Sequence, residues 1–417
     1  MATIGQPVAP ERHLPPLPAP TPRAAWGALA LATIGHAAGS FAMLGVAPLA
    51  PFLMEGLGLT RAQVGLFVPA AYLGGVLMSL PAGWFTDRLG VRSTLGLGLL
   101  LIGVMVGAAG SLTMLTGMLA CLVVGGFGFS VLNPATGRAI VDWFPARRRG
   151  AAMGIKQTGL TLGGVLASLT LPPIAALYGW RHALLAASAV AIITGIVVAF
   201  AYRRPPIPAA AGSLSRGTLR EAVGFLRRPG VAVVFVCGFL LSIAQSSQLA
   251  YLALYTKETF GFGAVAAGQM LALAQTGGTV SRLAWGFASD RWFSGRRRPG
   301  IVVNALLGAA SYALFAAGAG LPEALAIPLA FVAGAGAFGW VGLYFALVAE
   351  IGGPRYAGVL TGVSVVFAWG GVLFGPPLFG HIVDATGSYT LPWLVLAALA
   401  VVVAAVLPWP KPLVDRS

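Results

Sequence analysis

The sequence has few charged residues, and very few of them are acidic. Charged residues make up 9% of the 417 residues, with 11 Asp and Glu against 26 Lys and Arg, whereas a soluble domain carries roughly 25% charged residues. Hydrophobic residues make up 58% of the chain, and apolar runs of about 20 residues, each long enough to cross a bilayer, recur along it. The composition excludes a soluble globular protein and predicts an all-α membrane protein.

Cysteine is also scarce, and potential metal ligands are not clustered. The two cysteines, Cys121 and Cys237, both fall inside apolar runs, so a disulfide framework is not expected. No group of His, Cys and acidic residues has the spacing of a metal site, and no G-x-x-x-x-G-K-[ST] loop for ATP is present. We therefore predict a protein that is not an enzyme and that needs no metal or other cofactor.

The formal charge of +15 comes from basic residues between the predicted helices. Of 23 Arg and 3 Lys, 20 fall on one side of the predicted membrane, three on the other side and three inside helices. Basic residues accumulate on the cytoplasmic side of membrane proteins. The distribution predicts a multi-pass protein of the plasma membrane, such as a bacterial inner membrane, with both termini in the cytoplasm, and it argues against nucleic acid as a partner.

Hydropathy predicts twelve membrane-spanning helices in the chain. Their predicted spans are 25–49, 62–85, 93–112, 114–143, 150–178, 181–202, 230–256, 264–289, 299–319, 323–351, 355–383 and 388–409. A basic, proline-bounded segment lies between the sixth and seventh helices. The predicted organisation is a disordered tail (1–23), an N-terminal six-helix bundle (24–202), a cytoplasmic linker (203–229), a C-terminal six-helix bundle (230–410) and a short tail (411–417).

The two predicted bundles repeat one another. Three landmarks recur with offsets of 203, 204 and 208 residues: the motif that begins at Gly83 recurs at Gly286, the pair Pro172-Pro173 at Pro376-Pro377, and Asp142 at Glu350. Such a duplication around a central loop is the layout of a two-bundle transporter, whose substrate site lies between the halves near the middle of the membrane. A single chain of this kind forms its pathway alone, so we predict a monomer.

The repeated motif resembles the signature G-x-x-x-D-R-x-G-R-[RK] of the major facilitator superfamily. The residues that match it are Gly83, Asp87, Arg88, Gly90 and Arg92 in the first copy and Gly286, Asp290 and Arg291 in the second, while Val91 departs from it. The resemblance implies twelve transmembrane helices in two six-helix bundles with pseudo-twofold symmetry. In that superfamily this loop locks the cytoplasmic gate.

The resemblance therefore implies a cytoplasmic gate in this chain. Gly83 would let the helices approach each other. Asp87 would face a helix N-terminus, and Arg88 and Arg92 would reach Asp142 on the fourth helix. Arg138 lies four residues before Asp142 and is predicted to pair with it. The predicted gate residues are Gly83, Asp87, Arg88, Arg92, Arg138, Asp142, Gly286, Asp290, Arg291 and Glu350. The alternative is that these charges only set the topology of the chain.

One permanent cation lies inside the eighth predicted helix. Arg282 is about 12 Å along the helix from Asp290, inside the apolar run. A charged side chain in the middle of a membrane helix costs about 2.5 kcal/mol or more. Every acidic residue falls in a tail, a loop or a helix end, and a guanidinium binds a carboxylate by two parallel hydrogen bonds. We therefore expect a small anionic substrate as its partner. The alternative is that Arg282 reaches the cytoplasmic surface or bonds helix carbonyls.

The stretch SRLAWGFASDR resembles the eighth helix of the monocarboxylate transporters and the oxalate:formate exchanger. In those carriers an Arg four residues before the motif Gly binds the substrate carboxylate, and Arg282 and Gly286 hold that spacing. Trp340 and Tyr344 match a W-x-x-x-Y pair that lines the oxalate site, and Asn133 corresponds to a pocket position. The oxalate exchanger has a second pocket cation on helix 11, and the equivalent region of this sequence has none. A single fixed cation favours a monocarboxylate over a dicarboxylate.

Two further polar residues lie inside predicted helices. Lys156 could be a second anion contact or could extend to the surface. His36 is the only histidine in the middle of a span; it could carry a proton or bond a backbone carbonyl. The predicted function is alternating-access transport of a small organic anion with proton symport. The alternatives are a proton-coupled drug exporter, an anion exchanger, and a carrier of nitrate or cyanate.

Overall fold

The computed structural model describes residues 22–203, 224, 229–293 and 295–408, and its regular secondary structure within these ranges is helical. Most of the two predicted tails and of the predicted linker lies outside these residues. The helices are α1 (Pro22–Leu44), α2 (Ala50–Leu57), α3 (Arg61–Val64), α4 (Phe67–Ser111), α5 (Leu115–Trp143), α6 (Ala146–Tyr178), α7 (Trp180–Ala201), α8 (Pro229–Phe260), α9 (Ala264–Arg291), α10 (Arg298–Ala316), α11 (Glu323–Thr386) and α12 (Thr390–Val406).

Three of the predicted helix boundaries differ from the structure. The first helix ends at Leu44, and α2 follows after a turn that contains Gly45 and Pro48. The second and third predicted helices are joined in α4 across a kink at Gly90, whose φ is 76°. The tenth and eleventh are joined in α11 across a kink at Gly353, whose φ is 57°. Both kinks need glycine because other residues rarely adopt positive φ.

Ten helical segments within the described ranges are long and apolar enough to cross a membrane. The eighth predicted span corresponds to α9, which is helical but carries Gln, Thr, Ser and Arg among its apolar residues, and it does not meet that criterion. The twelfth corresponds to α12, which has 17 residues. The structure confirms an all-helical chain with many membrane-spanning segments, and the count of twelve spans stays a prediction.

Small residues allow the helices to approach closely. A methyl group at Gly74 of α4 would collide with the backbone oxygen of Val123 on α5, and one at Gly126 of α5 would collide with the oxygen of Ala71. Close approach through small residues is how membrane helices gain packing energy without a hydrophobic drive. These contacts fix α4 against α5.

Buried apolar side chains form separate clusters in the two parts of the chain. One cluster lies within 25–202 and two lie mainly within 231–407; the second of these three also includes Ala47 and Val68. We call residues 22–203 the first half and residues 229–408 the second half. We call the end of the bundle near Asp87 the motif end. The opposite end lies near the start of α4, about 30 Å from Asp87 along that helix.

Candidate functional site

Arg282 lies inside α9, with its guanidinium held at one nitrogen. Its Nε donates a hydrogen bond of 2.8 Å to the backbone oxygen of Phe338 on α11. The side chain is half-buried, and Nη1 and Nη2 have no hydrogen-bond partner within the described residues. A guanidinium has five N–H donors, so the terminal nitrogens can still bind another molecule.

The electrostatic neighbour of Arg282 is a phenol rather than a carboxylate. Tyr72 of α4, in the first half, lies close enough to interact electrostatically with the guanidinium. Within the described side chains, the acidic residues occupy the two ends of the bundle: Glu55, Asp87, Asp142, Glu258, Glu323, Glu350 and Asp384. The guanidinium is therefore a half-buried charge with no acidic partner among them.

Aromatic rings from both halves surround Tyr72. Its ring packs edge-to-face on Phe129 of α5, with centroids 6.3 Å apart, and on Trp369 of α11, with centroids 5.6 Å apart. Trp369 also lies against Gly75, where a methyl group would approach its ring to 2.9 Å. The Tyr72–Trp369 contact joins the two halves beside Arg282, although neither ring was singled out from the sequence.

Lys156, Asn133 and His36 come together in the first half. Lys156 Nζ donates a hydrogen bond of 2.8 Å to Asn133 Oδ1. Lys156 is buried and Asn133 is exposed. His36 is buried near enough to Lys156 to interact with it electrostatically, and its Nδ1 has no hydrogen-bond partner within the described residues. No acidic side chain among those described pairs with this group, and no hydrogen bond among them joins it to Arg282.

Trp340 and Tyr344 are buried in the core of the second half. They are 2% and 1% exposed, pack on each other with centroids 5.3 Å apart, and belong to a core cluster of the second half. The Tyr344 ring lies against Gly238 of α8. This face of α11 packs on α8, and the pocket role that the W-x-x-x-Y pattern implies stays a prediction.

At the motif end, the partner of both first-half acids is Arg138. Its Nη1 lies 3.3 Å from Asp87 Oδ1, and its Nε lies 2.8 Å from Asp142 Oδ1. The predicted pairing of Arg138 with Asp142 is present. Arg138 and Asp142 are spaced i,i+4 on α5, so their side chains lie on the same face of the helix and can pair directly.

Three predictions for the first motif copy are wrong in this structure. Arg88 lies over the ring of Trp84 at 4.5 Å, and Arg92 donates to the backbone oxygen of Ala199 on α7, so neither is paired with Asp142. A methyl group at Gly83 would meet nothing within 4 Å, which excludes close helix approach as its role. In the first copy the glycine that the backbone requires is Gly90, at the kink in α4.

The second motif copy has a different arrangement. Glu350 Oε1 accepts a hydrogen bond of 2.9 Å from Arg297 Nε, and Arg297 Nη1 donates to Ser289 Oγ at 2.5 Å. Arg291 lies 6.0 Å from the ring of Phe287. Gly286, like its counterpart in the first copy, has open space where a methyl group would lie, and the side chain of Asp290 lies outside what the structure describes.

Ion pairs at the opposite end join the two halves. Arg61 Nε lies 3.0 Å from Glu258 Oε2, and Arg61 Nη1 lies 3.5 Å from Asp384 Oδ1. Asp384 also accepts hydrogen bonds of 3.2 and 2.8 Å from the backbone nitrogens of Arg61 and Ala62 at the start of α3. Lys257 pairs with Glu55. We call Arg61, Glu258 and Asp384 the lock.

Two tyrosines complete the lock. Tyr389 donates a hydrogen bond of 2.9 Å to Glu258 Oε2, and Tyr251 donates one of 2.6 Å to the backbone oxygen of Arg61. Burial raises the pKa of Tyr389, so its hydroxyl stays protonated as a donor. The sequence placed these charges in separate loops. The only available signal was that, on one predicted side, two acids follow helix ends and one base precedes a helix start.

The described residues offer no metal site, because no group of three or more His, Cys, Asp and Glu side chains among them is close enough to hold an ion. A family model for the Major Facilitator Superfamily matches residues 29–373. The chain belongs to the major facilitator superfamily. The resemblance drawn from Asp87 and Arg88 is therefore confirmed, and the all-helical fold is that of this superfamily.

Two relatives within the superfamily are named as transporters of organic compounds. The "Probable sulfoacetate transporter SauU" of Cupriavidus necator is 28% identical over 388 residues, which cover 84% of this chain and 85% of its own length. The "Hexuronate transporter" of Bacillus subtilis is 22% identical over 387 residues, which cover 88% of this chain and 90% of its own. These names agree with a transporter that is not an enzyme.

A solved structure shows the same fold. A bacterial homolog of the human lysosomal transporter Spinster, in an inward-facing and occupied conformation, aligns with a TM-score of 0.74 at 17% sequence identity. The alignment covers 91% of this chain and 95% of that one. At this identity the likeness concerns the superfamily fold alone.

The hydrogen bond between Lys156 and Asn133 leads to a prediction for stability. In Asn133→Leu the buried ammonium loses its acceptor, which should lower the free energy of unfolding by about 1–3 kcal/mol and lower Tm in a detergent-solubilised melt. In the double variant Asn133→Leu/Lys156→Met both polar partners are gone, and Tm should recover most of the loss. A single variant as stable as the wild type would show that Lys156 does not depend on this bond.

Proposed function

We propose that this chain is a secondary active transporter of a small organic anion, in the first instance a monocarboxylate, that works by alternating access. The observation that carries the proposal is the Arg282 guanidinium, half-buried between the halves with its terminal nitrogens unbonded and no acidic partner among the described side chains. Arginine stays protonated, so the charge needs an anion to compensate it. A transported anion supplies that compensation.

The bond to Phe338 limits how an anion can bind. Because Nε already donates to the backbone oxygen, the edge formed by Nε and one Nη is not free. The edge formed by Nη1 and Nη2 remains, and its two parallel N–H groups match the two oxygens of a carboxylate. The same bond holds the guanidinium plane in one orientation, which lowers the entropy cost of binding.

The first half supplies a second cation. Lys156 is buried and bonded only to Asn133 within the described residues, and the exposed Asn133 keeps its amide nitrogen for another acceptor. We propose that this pair is a second anion contact in the first half. We propose that this pair and Arg282 belong to one site, where two fixed cations with no acidic partner among the described side chains attract anions and reject cationic drugs.

Ion pairs between the halves support alternating access. The lock closes the opposite end by joining Arg61 of the first half to Glu258 and Asp384 of the second. We propose that this state receives substrate from the motif end, the predicted cytoplasmic side. An anion on Arg282 removes the cost of enclosing a bare charge, so the occupied site can close and the lock can open.

Proton symport is the simplest source of energy for uptake of an anion. Import against an inside-negative potential costs about 2.3 kcal/mol per charge at 100 mV, and an accompanying proton cancels that charge. We propose His36 as the proton carrier, because it is the only histidine in the middle of a predicted span and its Nδ1 has no hydrogen-bond partner within the described residues. The names of the sulfoacetate and hexuronate transporters, which denote organic anions, support the anion class.

A thermal-shift screen of the purified chain tests this function. The panel contains monocarboxylates, dicarboxylates, sulfonates and lipophilic cationic drugs, because a ligand of the folded state raises Tm with occupancy. We expect the largest shifts from monocarboxylates at millimolar concentration and none from the cations. Shifts from cationic drugs alone would favour a drug exporter and overturn the proposal, and larger shifts from nitrate or cyanate than from any carboxylate would contradict the organic class.

A further inference from the structure

The aromatic contact between the halves points to a binding residue that the motifs do not contain. We propose that Tyr72 binds the substrate, and that its hydroxyl and the Arg282 guanidinium hold one carboxylate from opposite halves of the molecule. This inference rests on the proposed function and adds to it a contact from the first half. It identifies the ligand as an anion with at least two acceptor oxygens.

Packing holds the Tyr72 ring in place. Phe129 meets it edge-to-face with an interplanar angle of 71°, and Trp369 does so at 87°. Edge-to-face pairs of this kind are worth about 0.5–1.5 kcal/mol beyond their buried area. The ring is held by two aromatic contacts, so the position of its hydroxyl is set before any ligand binds.

The hydroxyl of Tyr72 has no hydrogen-bond partner within the described residues. It is not one of the enclosed polar atoms, unlike the hydroxyls of Tyr312 and Tyr344. The Tyr72 residue is partly exposed, and its phenol interacts electrostatically with the Arg282 guanidinium. A phenol hydroxyl both donates and accepts, whereas a guanidinium only donates.

A carboxylate satisfies both groups at once. Its two oxygens offer about four acceptor sites, which is enough for the two terminal nitrogens of Arg282 and the hydroxyl of Tyr72. Because Tyr72 belongs to α4 of the first half and Arg282 to α9 of the second, the bound anion spans the interface between the halves. Its affinity then depends on their relative position, which is the coupling that alternating access requires.

Affinity measurements on Tyr72→Phe test this inference. The variant keeps the ring and its two aromatic contacts and removes only the hydroxyl. The matched control is Tyr312→Phe, which removes an enclosed hydroxyl without a partner from a ring stacked on Trp393. The probes are pyruvate, benzoate and glucuronate, which share a carboxylate and differ in the rest of the molecule, and Kd is measured by calorimetry.

We expect Tyr72→Phe to weaken every probe that binds the wild type by about tenfold or more, since hydrogen bonds to charged groups are worth about 1.5–3 kcal/mol. Tyr312→Phe should leave Kd unchanged. Tyr72→His, which keeps a ring and a donor, should lie between the wild type and Tyr72→Phe, and this order holds even if Tyr72→Phe is less stable.

The outcomes separate this inference from the proposed function. Unchanged Kd in Tyr72→Phe, together with loss of binding in Arg282→Gln, would overturn the role of Tyr72 and leave the anion transporter intact. Equal weakening in Tyr72→Phe and Tyr312→Phe would also overturn it, because the effect would then be one of stability. Failure of the wild type to bind any of the three probes would contradict both proposals.

Discussion

Transport of the bound carboxylate by Arg282→Gln is expected to fall by at least about 30-fold in a counterflow assay. Removing one partner of a desolvated charge pair costs about 2–5 kcal/mol, and each 1.4 kcal/mol is a factor of ten. Gln can offer one amide to the anion but neither the charge nor the two parallel donors. The loss should appear mainly as weaker binding, measured by the substrate concentration at half-maximal counterflow.

Two companion variants show which property of Arg282 matters. Arg282→Lys keeps the charge and loses the planar fork, so its activity should lie between those of the wild type and Arg282→Gln. Arg181→Gln removes one positive charge from an exposed arginine that lies over Trp180 at 4.5 Å, and it should transport like the wild type. Undiminished counterflow in Arg282→Gln would remove this side chain from the mechanism.

The second large effect is expected at the lock. In Glu258→Gln/Asp384→Asn, Arg61 loses both of its acidic partners and α3 loses the charge that accepts its first backbone hydrogen bonds. Partly exposed pairs contribute up to about 1 kcal/mol each. The population closed at the opposite end should therefore fall by roughly tenfold relative to the state open at that end.

Distances between spin labels measure this change. Labels at Thr113 in the first half and Ala385 in the second lie at the opposite end on exposed residues, in a background with Cys121 and Cys237 replaced by Ala. The double variant should gain a population in which the distance between the two labels is longer than in the parent. Glu323→Gln removes an exposed acid at the same end and serves as the control. A distance distribution identical to that of the parent would show that the lock does not hold this end closed.

The superfamily and the position of the central cation could be predicted from the sequence because both depend on local signals. Asp87 and Arg88 belong to a short motif that is specific for the fold. Arg282 is conspicuous because a charge inside an apolar run is rare and costly. Neither feature depends on how the helices are rotated against each other.

Contacts that depend on helix rotation could not be predicted. The W-x-x-x-Y pattern places Trp340 and Tyr344 on one face of a helix, but only packing shows that this face meets α8. Arg88 was expected to reach a distant acid, and instead it lies over Trp84, one turn away on its own helix. Trp84 lies four residues before Arg88 on the same helix face, so Arg88 can contact it without extending its side chain to another helix.

The lock and Tyr72 were missed for a different reason. Arg61, Glu258 and Asp384 are far apart in the sequence, and each resembles an ordinary loop charge. Tyr72 lies in an apolar run, and an uncharged tyrosine there does not distinguish a binding residue from a packing residue in the sequence. Only the relation between the two halves brings these residues to their partners.

The most direct test is to determine the structure with a bound carboxylate, using the monocarboxylate that gives the largest thermal shift. We predict that its oxygens lie about 2.7–2.9 Å from Nη1 and Nη2 of Arg282, the distance of charge-assisted hydrogen bonds. Density for the anion at a site out of reach of Arg282, with the guanidinium still bonded only to Phe338, would contradict the proposed mechanism.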